Sequence, residues 1–349
     1  MQRFTSNMTK LSIIVPVYNV EKYIRPCIES IFRQGLNEVD YEVIIVNDGT
    51  QDYSIEIIQD IIHQHQNIVV INQDNQGISN TRNNGIDISK GEYLLMLDSD
   101  DMLIDNSLNY LLIKALETKV DLVVADYLTA TDEVIENNNY NFPYSTNIEY
   151  VEKTGEKLFL EDLSPLACCV WRTLYRKEFL IKNRISFIPG ILYEDVPFTH
   201  TCYIKAQRCI RTNLILNIYR KRTGSLTPFC MIKARDYCIS IAKTWELSYN
   251  EGLSTQVQQK LHNNVFTIFS LFIYLISSEK CSISEKVKAI QQLKILVPQL
   301  YINDGFKQKT YTFLYKKAPI VLFISRDIYR RLFEEHLLPF YHHYLKKQK

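Results

Sequence analysis

The sequence predicts an α/β protein with a mainly parallel sheet and helices on both faces, followed by a mostly helical C-terminal region. Apolar, β-branched runs alternate with amphipathic helical segments about five times within residues 11–130, which is typical of this fold class. From about residue 231 the pattern becomes long, helical and rich in Ile, Leu, Phe and Tyr. We therefore predict one domain over 1–230 and a helical region with a basic tail over 231–349.

The predicted strands are short apolar runs that end in polar or turn-forming residues. The first reads LSIIVPVYN, a β-branched run closed by Pro and Asn, which indicates a buried strand that leads into a loop. The second, YEVIIVNDGTQD, ends in a polar turn. In order, the predicted strands are 11–19, 41–52, 67–73, 93–101 and 120–130.

The segments between these strands have the spacing of amphipathic helices. In the first, Ile24, Cys27, Ile28 and Ile31 recur at helical spacing, and Gly35 follows as a stop signal. The predicted helices are 22–34, 54–65, 77–91 and 107–119. The polar, Asn-rich segment 131–147 is predicted to be a surface loop or hairpin.

Net charge and cysteine content indicate which partners and which cellular compartment to expect. The net charge of +1 gives no reason to expect a nucleic-acid partner, but residues 306–349 hold ten Lys/Arg against three Asp/Glu. The eight cysteines form no C-x-x-C pair and match no zinc spacing, so we expect buried thiols in a reduced, cytosolic compartment.

Neither the N-terminus nor the most apolar segment predicts insertion into a membrane. The N-terminus MQRFTSNMTK has no apolar core of a secretory signal. The best candidate span, VFTIFSLFIYLIS at 265–277, has 13 residues, fewer than the roughly 20 that a spanning helix needs. We interpret it as a buried helix.

Three polar clusters follow predicted strands: Tyr18–Asn19, Asn47–Gly49 and Asp98–Asp101. Ligands of open α/β sheets bind at the carboxyl ends of the strands, so these clusters are expected to share one site. In LLMLDSDDML, carboxylates directly follow a buried run, where an unpaired charge would be costly. Such hard oxygen ligands suit Mg²⁺ or Mn²⁺, and a capping role in a surface turn is the alternative.

Several other site types do not fit the residues. Met102 and Leu103 stand where a calcium EF-hand loop needs a ligand and a glycine. A haloacid dehalogenase phosphatase uses D-x-D after its first strand, whereas here the motif follows the fourth. No G-x-G-x-x-G or P-loop motif follows a strand. His63 and His65 face different ways on a helix and are interpreted as surface residues.

The motifs IIVPVYN, VNDGT, NQGISNTRNNGI, GEYLLMLDSDD and YEDVPF occur in the order and rough spacing of family 2 glycosyltransferases. The resemblance covers about residues 10–230 and implies the GT-A fold. It also implies transfer of a sugar from a nucleotide diphosphate donor with inversion at the anomeric carbon.

The resemblance implies a donor site built on the first strands. Pro16, Tyr18 and Asn19 match the first nucleotide loop, with Tyr18 over the base. Asp48 matches the residue that accepts a hydrogen bond from the imide of uracil or thymine, although an Asx turn in NDG is an alternative. Arg82 matches the family arginine in TRN and is expected to pair with Asp48 or to reach the phosphates.

The resemblance also implies a cofactor, Mn²⁺ or Mg²⁺, which would stabilise the leaving diphosphate as a Lewis acid. In the family pattern Asp100 is the direct metal ligand, and Asp98 lies near the ribose or a metal-bound water. For Asp101 we favour an N-cap of a helix at 102–116.

On the acceptor side, the family pattern makes Asp195 of YEDVPF the catalytic base and Glu194 its support, with an acidic helix N-terminus as the alternative. Trp171 is expected to stack on a sugar or to pack in the core. The family lysine two places later is Thr173 here, for which Arg172 is expected to compensate. The loop of Arg220, Arg222 and Ser225 is expected to close over the pyrophosphate.

These features predict an inverting, metal-dependent transferase that uses a UDP-sugar donor and a saccharide or lipid-linked acceptor. The alternative is a non-catalytic sugar-nucleotide-binding or scaffold protein on the same fold, and a phosphatase is a distant third. The basic, aromatic-rich tail 306–349 predicts docking on an anionic membrane surface, with helical packing on the domain as the alternative. Such a protein would be cytoplasmic, with peripheral attachment to the inner face of the cell membrane.

Overall fold

The computed structural model describes residues 9–136, 147–222 and 230–297, together with 309, 313–315, 317–318 and 321. Within these residues, the chain divides into two compact units, 1–163 with 167–226 and 164–166 with 227–349. Ser225, segment 137–146 and most of the basic tail lie outside the described residues, so the predictions for them stay predictions.

The first unit contains a nine-stranded sheet. Its strands are β1 (Leu11–Val17), β2 (Tyr41–Asn47), β3 (Ile68–Asn72), β4 (Tyr93–Met96), β5 (Met102–Leu103), β6 (Leu122–Thr131), β7 (Tyr150–Lys153), β8 (Thr173–Arg176) and β9 (Cys209–Lys221). The strand order is β3-β2-β1-β4-β8-β6-β9-β5, and β7 pairs with β9.

Helices separate most of these strands along the chain. In the first unit they are α1 (Ile24–Phe32), α2 (Gln59–Gln64), α3 (Ile78–Ile88), α4 (Ser107–Thr118), α5 (Asp132–Glu136), α6 (Gly155–Asp162), α7 (Lys177–Lys182) and α8 (Asp195–Lys205). The second unit contains α9 (Ala234–Glu246), α10 (Thr255–Ser278) and α11 (Ile283–Leu296).

The parallel part of the sheet is β3-β2-β1-β4, in which every neighbouring pair is parallel. The other half is mixed, because β8 is inserted antiparallel to both β4 and β6. The predicted α/β class is confirmed, and the alternation of strand and helix correctly predicts the parallel half. The mixed half depends on β8, a four-residue strand that the sequence pattern did not separate from its surroundings.

Alternate residues of β1 bury against opposite layers of helices. Ile13 shares a buried cluster with Ile28 of α1 and Leu111 of α4, and full burial of one such side chain contributes about 1.5–3 kcal/mol. Ile14 faces α3, where a Cβ added to Gly85 would lie 2.4 Å from Cγ2 of Ile14. The glycine therefore lets α3 pack directly on the sheet, next to the ends of the parallel strands.

The second unit is helical, and its central helix is longer than the 13 residues that the sequence indicated. α10 has 24 residues and buries Phe269, Phe272 and Ile273, and Tyr237 of α9 stacks on Phe272 at 5.2 Å. By length and composition α10 could cross a membrane, but 56% of its apolar window is buried. The helix is therefore longer than the 13-residue apolar segment, and the burial of α10 agrees with its interpretation as a buried helix.

Candidate functional site

The candidate site lies at the carboxyl ends of the parallel strands. Register places Val17 beside Asn47 and Asn47 beside Asn72, so the loops that follow β1, β2 and β3 begin side by side. The first two loops are joined through Asn19, whose backbone amide donates to Oγ1 of Thr50 at 2.8 Å. The structure thus brings together the polar clusters that follow β1 and β2.

Asn19 and Asn47 shape these loops rather than offering free side chains. Asn19 has a positive φ of 51°, and its Oδ1 accepts from the backbone amide of Gln51 at 2.9 Å. Oδ1 of Asn47 accepts from the backbone amide of Thr50 at 2.9 Å. The side chain that closes the NDG turn is therefore that of Asn47. Tyr18 is 41% exposed beside Asn19.

Asp48 is buried and accepts three hydrogen bonds. Nε2 of Gln73 donates to Oδ1 at 2.7 Å, the backbone amide of Gln76 donates to the same oxygen at 2.8 Å, and the backbone amide of Gly77 donates to Oδ2 at 2.9 Å. A carboxylate has room for about four such bonds. Asp48 therefore fixes the loop that precedes α3 and retains acceptor capacity on Oδ2.

Arg82 connects two carboxylates that are far apart in the sequence. Nη2 donates to Oδ1 of Asp98 at 2.7 Å, and Nη1 pairs with Oε1 of Glu194. The guanidinium also lies 5.2 Å from the ring centroid of Phe187. Arg82 therefore pairs with Asp98 and Glu194 and not with Asp48, which was one of its two predicted contacts.

The D-x-D segment forms a turn after β4. The backbone amide of Asp101 donates to the carbonyl oxygen of Asp98 at 3.0 Å, and β4 already ends at Met96. The side chains of Asp98 and Asp100 are 26% and 22% exposed. These two carboxylates are therefore partly exposed, and each is paired with an arginine.

Asp101 is buried and does not cap a helix. Its Oδ1 accepts from the backbone amide of Arg220 at 2.8 Å, while its Oδ2 is buried without a partner. α4 begins only at Ser107, so the predicted helix at 102–116 and its N-cap are wrong. Residues 102–103 instead pair with β9, which explains why Arg220 lies against Asp101. Burial and the neighbouring Asp100 raise the pKa of Asp101 well above its usual range.

Arg220 and Arg222 reach the D-x-D turn from the end of β9. Nε of Arg220 donates to the carbonyl oxygen of Asp100 at 2.9 Å, and Nη1 pairs with Asp132 at 2.9 Å. Nε of Arg222 donates to Oδ2 of Asp100 at 2.6 Å. Both guanidinium groups lie over the ring of Tyr23, at 5.1 and 4.8 Å from its centroid. The sequence analysis did not predict a role for Tyr23, because nothing in the sequence around it distinguishes it from an ordinary residue next to a helix.

Glu194 and Asp195 lie at the N-terminus of α8, as both interpretations of the YEDVPF motif allow. Asp195 is the first helical residue, and the backbone amide of Val196 donates to its carboxylate. Burial and the charge of Glu194 raise the pKa of Asp195 to about 7, against the opposing effect of Arg82. Burial also raises the pKa of Glu194, which Arg82 opposes. Asp195 is thus poised to exchange a proton near neutral pH.

Trp171 and Arg172 are packed in the fold. The Trp171 ring stacks on Tyr219 at 5.5 Å and meets Tyr127 edge-on at 4.8 Å, and the residue is 6% exposed. Arg172 lies 5.9 Å from the Tyr127 ring centroid and hydrogen-bonds Tyr203. These contacts agree with the packing alternative for Trp171 and occupy the arginine that was expected to replace the missing lysine.

The donor set at the D-x-D turn fits a hard divalent cation bound together with phosphates. Burial and the charge of Asp98 raise the pKa of Asp100, so positive charge would be stabilising there. Within the described residues, no three His, Cys, Asp or Glu side chains form a group that could hold a metal ion alone. Mg²⁺ in phosphate sites is commonly held by only one or two carboxylates plus substrate oxygens, and Asp98 and Asp100 supply that number.

Known proteins resemble this chain in sequence. A family model described as glycosyl transferase family 2 matches residues 12–183. The uncharacterized glycosyltransferase EpsJ of Bacillus subtilis is 34% identical over 229 residues, which are 65% of each chain, less than two thirds of EpsJ. Glycosyltransferase GlyG of Streptococcus pneumoniae is 30% identical over 245 residues, which cover 65% of this chain and 76% of GlyG.

A solved structure shares the fold. The crystal structure of residues 1–349 of Staphylococcus aureus TarS in complex with UDP-GlcNAc superposes with a TM-score of 0.72 at 22% identity, and the match covers 93% of this chain and 92% of that one. The GT-A fold with a helical C-terminal region is confirmed. The sequence matches show that the chain belongs to glycosyl transferase family 2.

Proposed function

We propose that the protein transfers a sugar from a UDP-sugar to a saccharide or lipid-linked acceptor, with inversion and with the help of a divalent cation. The observation that carries this proposal is the ion-paired bridge Asp98–Arg82–Glu194. It links the D-x-D turn to Glu194, the residue before Asp195. The carboxylates of the turn suit the cation that would accompany the donor diphosphate, and Asp195 suits the proton of the acceptor.

The base of the donor is assigned to the loops after β1 and β2. Asp48 keeps acceptor capacity on Oδ2 for an imide N–H, which uracil has and adenine lacks. The half-exposed ring of Tyr18 is suited to cover the base. The UDP-GlcNAc bound by TarS, which shares the fold, supports a UDP-sugar as the donor.

The phosphates are assigned to the D-x-D turn. Asp98 and Asp100 would hold Mn²⁺ or Mg²⁺, which supplies Lewis-acid stabilisation of the leaving diphosphate when bound. Arg222 adds a guanidinium beside Asp100 that suits bidentate contact with phosphate. Arg220 contributes by fixing the turn, through its contacts with the backbone of Asp100 and with Asp101.

Asp195 is assigned as the catalytic base. In an inverting transfer the acceptor hydroxyl attacks the anomeric carbon on the face opposite the leaving group, and its proton must pass to a base. A pKa of about 7 makes Asp195 a much better proton acceptor than an ordinary carboxylate while it remains largely ionised above neutral pH. Arg82 and Glu194 hold the N-terminus of α8 against the donor side.

A binding or scaffold role on the same fold is the competing function. A binding module needs no proton acceptor, so the raised pKa of Asp195 favours an enzyme. The two functions differ in a simple assay, in which UDP release from a panel of UDP-sugars is measured with Mn²⁺ and saccharide acceptors. The cytoplasmic location and the membrane contact of the tail remain predictions.

We expect UDP binding to require the divalent cation and Asp100. In calorimetry, Mn²⁺ should tighten UDP binding about tenfold or more, because such a cation is held jointly by one or two carboxylates and the phosphates, and Asp100→Ala should abolish the gain. Asp105→Ala is the control, since this exposed residue of the following loop pairs only at the surface with Arg33. Equal UDP affinity in EDTA and in Mn²⁺ would contradict the assignment.

We expect Asp48 to select the base. UDP and dTDP should raise the melting temperature far more than ADP at equal concentration, because ADP offers no imide N–H to Asp48. Asp48→Asn should reduce this preference, whereas Asp74→Asn, an exposed change in the adjacent loop, should retain it. Equal protection of the wild-type protein by ADP would rule out imide recognition by Asp48.

A further inference from the structure

Arg222 contacts the same carboxylate that the proposed function assigns to a divalent cation. Its Nε donates to Oδ2 of Asp100 at 2.6 Å, and its side chain is 13% exposed. The guanidinium lies 4.8 Å from the ring centroid of Tyr23. A charged oxygen of the D-x-D turn is therefore already neutralised by a residue of the protein.

The electrostatics explain why Asp100 needs a positive neighbour. Asp98, two residues earlier in the same turn, carries a second negative charge that is paired with Arg82, and Nε of Arg222 pairs with the charge of Asp100. A divalent cation that arrives with a nucleotide diphosphate would meet the same need. Arg222 and the cation thus compete for one carboxylate, since Oδ2 cannot accept the short guanidinium bond and coordinate a cation along the same direction.

The neighbouring arginine provides a contrast. Arg220 lies within β9, its backbone amide is bonded to Asp101, and its side chain pairs with Asp132 and with the carbonyl oxygen of Asp100. Its guanidinium meets Asp100 at the backbone carbonyl oxygen and not at the carboxylate. Arg222 lies one residue beyond the last strand residue, Lys221, and takes a carboxylate oxygen that the cation would use.

We propose that Arg222 is an exchangeable counter-cation of Asp100, which neutralises the carboxylate while the donor is absent and releases it to a divalent cation when a nucleotide diphosphate binds. Once released, the guanidinium pairs with the diphosphate. The inference rests on the proposed function, because it assumes that Asp100 contacts a cation in the donor complex. It predicts that the free protein binds divalent cations weakly because of Arg222.

The test is a titration of Mn²⁺, followed by electron paramagnetic resonance, without any nucleotide. Arg222→Gln should bind Mn²⁺ about tenfold tighter or more than the wild type, since a charge-assisted hydrogen bond to a carboxylate no longer competes. Arg222→Lys, which keeps the positive charge, should stay closer to the wild type. Lys221→Gln removes an exposed neighbouring charge and should leave the affinity unchanged.

A second titration separates exchange from a structural role. With Mn²⁺ present, Arg222→Gln should bind UDP more weakly, about tenfold, because the guanidinium contact with the diphosphate is lost. Opposite changes for Mn²⁺ and UDP are expected from exchange, whereas a damaged site would weaken both. The gain in Mn²⁺ affinity should vanish in the double variant Asp100→Asn, Arg222→Gln.

Unchanged or weaker Mn²⁺ binding by Arg222→Gln would overturn the inference. That outcome differs from failure of the proposed function, in which Mn²⁺ would not affect UDP binding by the wild-type protein at all. A wild-type protein that binds UDP equally with and without Mn²⁺, together with loss of UDP binding in Arg222→Gln, would mean that Arg222 stays on Asp100 and replaces the cation permanently. This result would also contradict exchange.

Discussion

Asp195→Asn should strongly slow sugar transfer while leaving donor binding intact. The substitution preserves the shape of the side chain and its position at the start of α8, but an amide cannot accept the proton of the acceptor hydroxyl. General-base catalysis contributes about 10²–10⁴-fold to the rate, and the turnover should fall by that amount. The measurement is UDP release with a UDP-sugar and its acceptor under saturating conditions.

Donor binding provides the internal control for this variant. UDP affinity in the presence of Mn²⁺ should remain close to that of the wild type, because the D-x-D turn and Asp48 are unchanged. Asp87→Asn, an exposed change on α3, should affect neither quantity. If Asp195→Asn keeps near-normal turnover with its true acceptor, Asp195 is not the base.

The rate should depend on the ionisation of Asp195. Its pKa of about 7 is raised from the usual value, so the base form decreases as the pH falls through 7. Below that point the turnover should fall about tenfold per pH unit, and above it the rate should level off. An ordinary carboxylate would instead keep full activity down to about pH 4.

Glu194→Gln should shift the acidic fall in turnover, which we assign to Asp195, to lower pH. The charge of Glu194 is the second largest cause of the raised pKa, after burial, and its removal also leaves the positive charge of Arg82 less neutralised. Both changes favour the ionised form of Asp195, so both lower its pKa. A pH profile of Glu194→Gln that coincides with the wild type, or that moves upward, would contradict this account of the site.

The strand ends are the part of the site that the sequence predicts well. Each parallel strand is an apolar run that stops at polar residues, so the run predicts both the strand and the edge at which its loop emerges. Asp48, Asp98 and Asp100 lie at that edge for this reason. The resemblance of the motifs to family 2 then supplied the roles, which spacing alone left open.

The ion pairs could not be predicted in the same way, because they depend on contacts between distant segments. Arg82 and Glu194 are 112 positions apart, and which carboxylate an arginine meets depends on how α3 and α8 pack. The same holds for Asp101, which meets Arg220 119 positions away. The predicted helix at 102–116 was wrong because Met102 and Leu103 pair with β9, a contact that local propensity does not contain.

The turn that was considered for Asp48 is formed by Asn47 instead, and this has a local cause. Successive residues at the end of a strand point in opposite directions, so only one of them can form the turn while the other faces the loop before α3. Asn47 forms the turn with Thr50, and Asp48 accepts from the backbone amides of Gln76 and Gly77. The NDG pattern is compatible with either choice.

A crystal structure of the protein soaked with UDP and Mn²⁺ tests the central claim most directly. The account predicts uracil at Asp48, Mn²⁺ between the diphosphate and Asp100, and Asp195 open to the acceptor side. Nucleotide density away from the carboxyl ends of β1, β2 and β4, or UDP bound at that edge with no contact to Asp48 or the D-x-D turn, would contradict it.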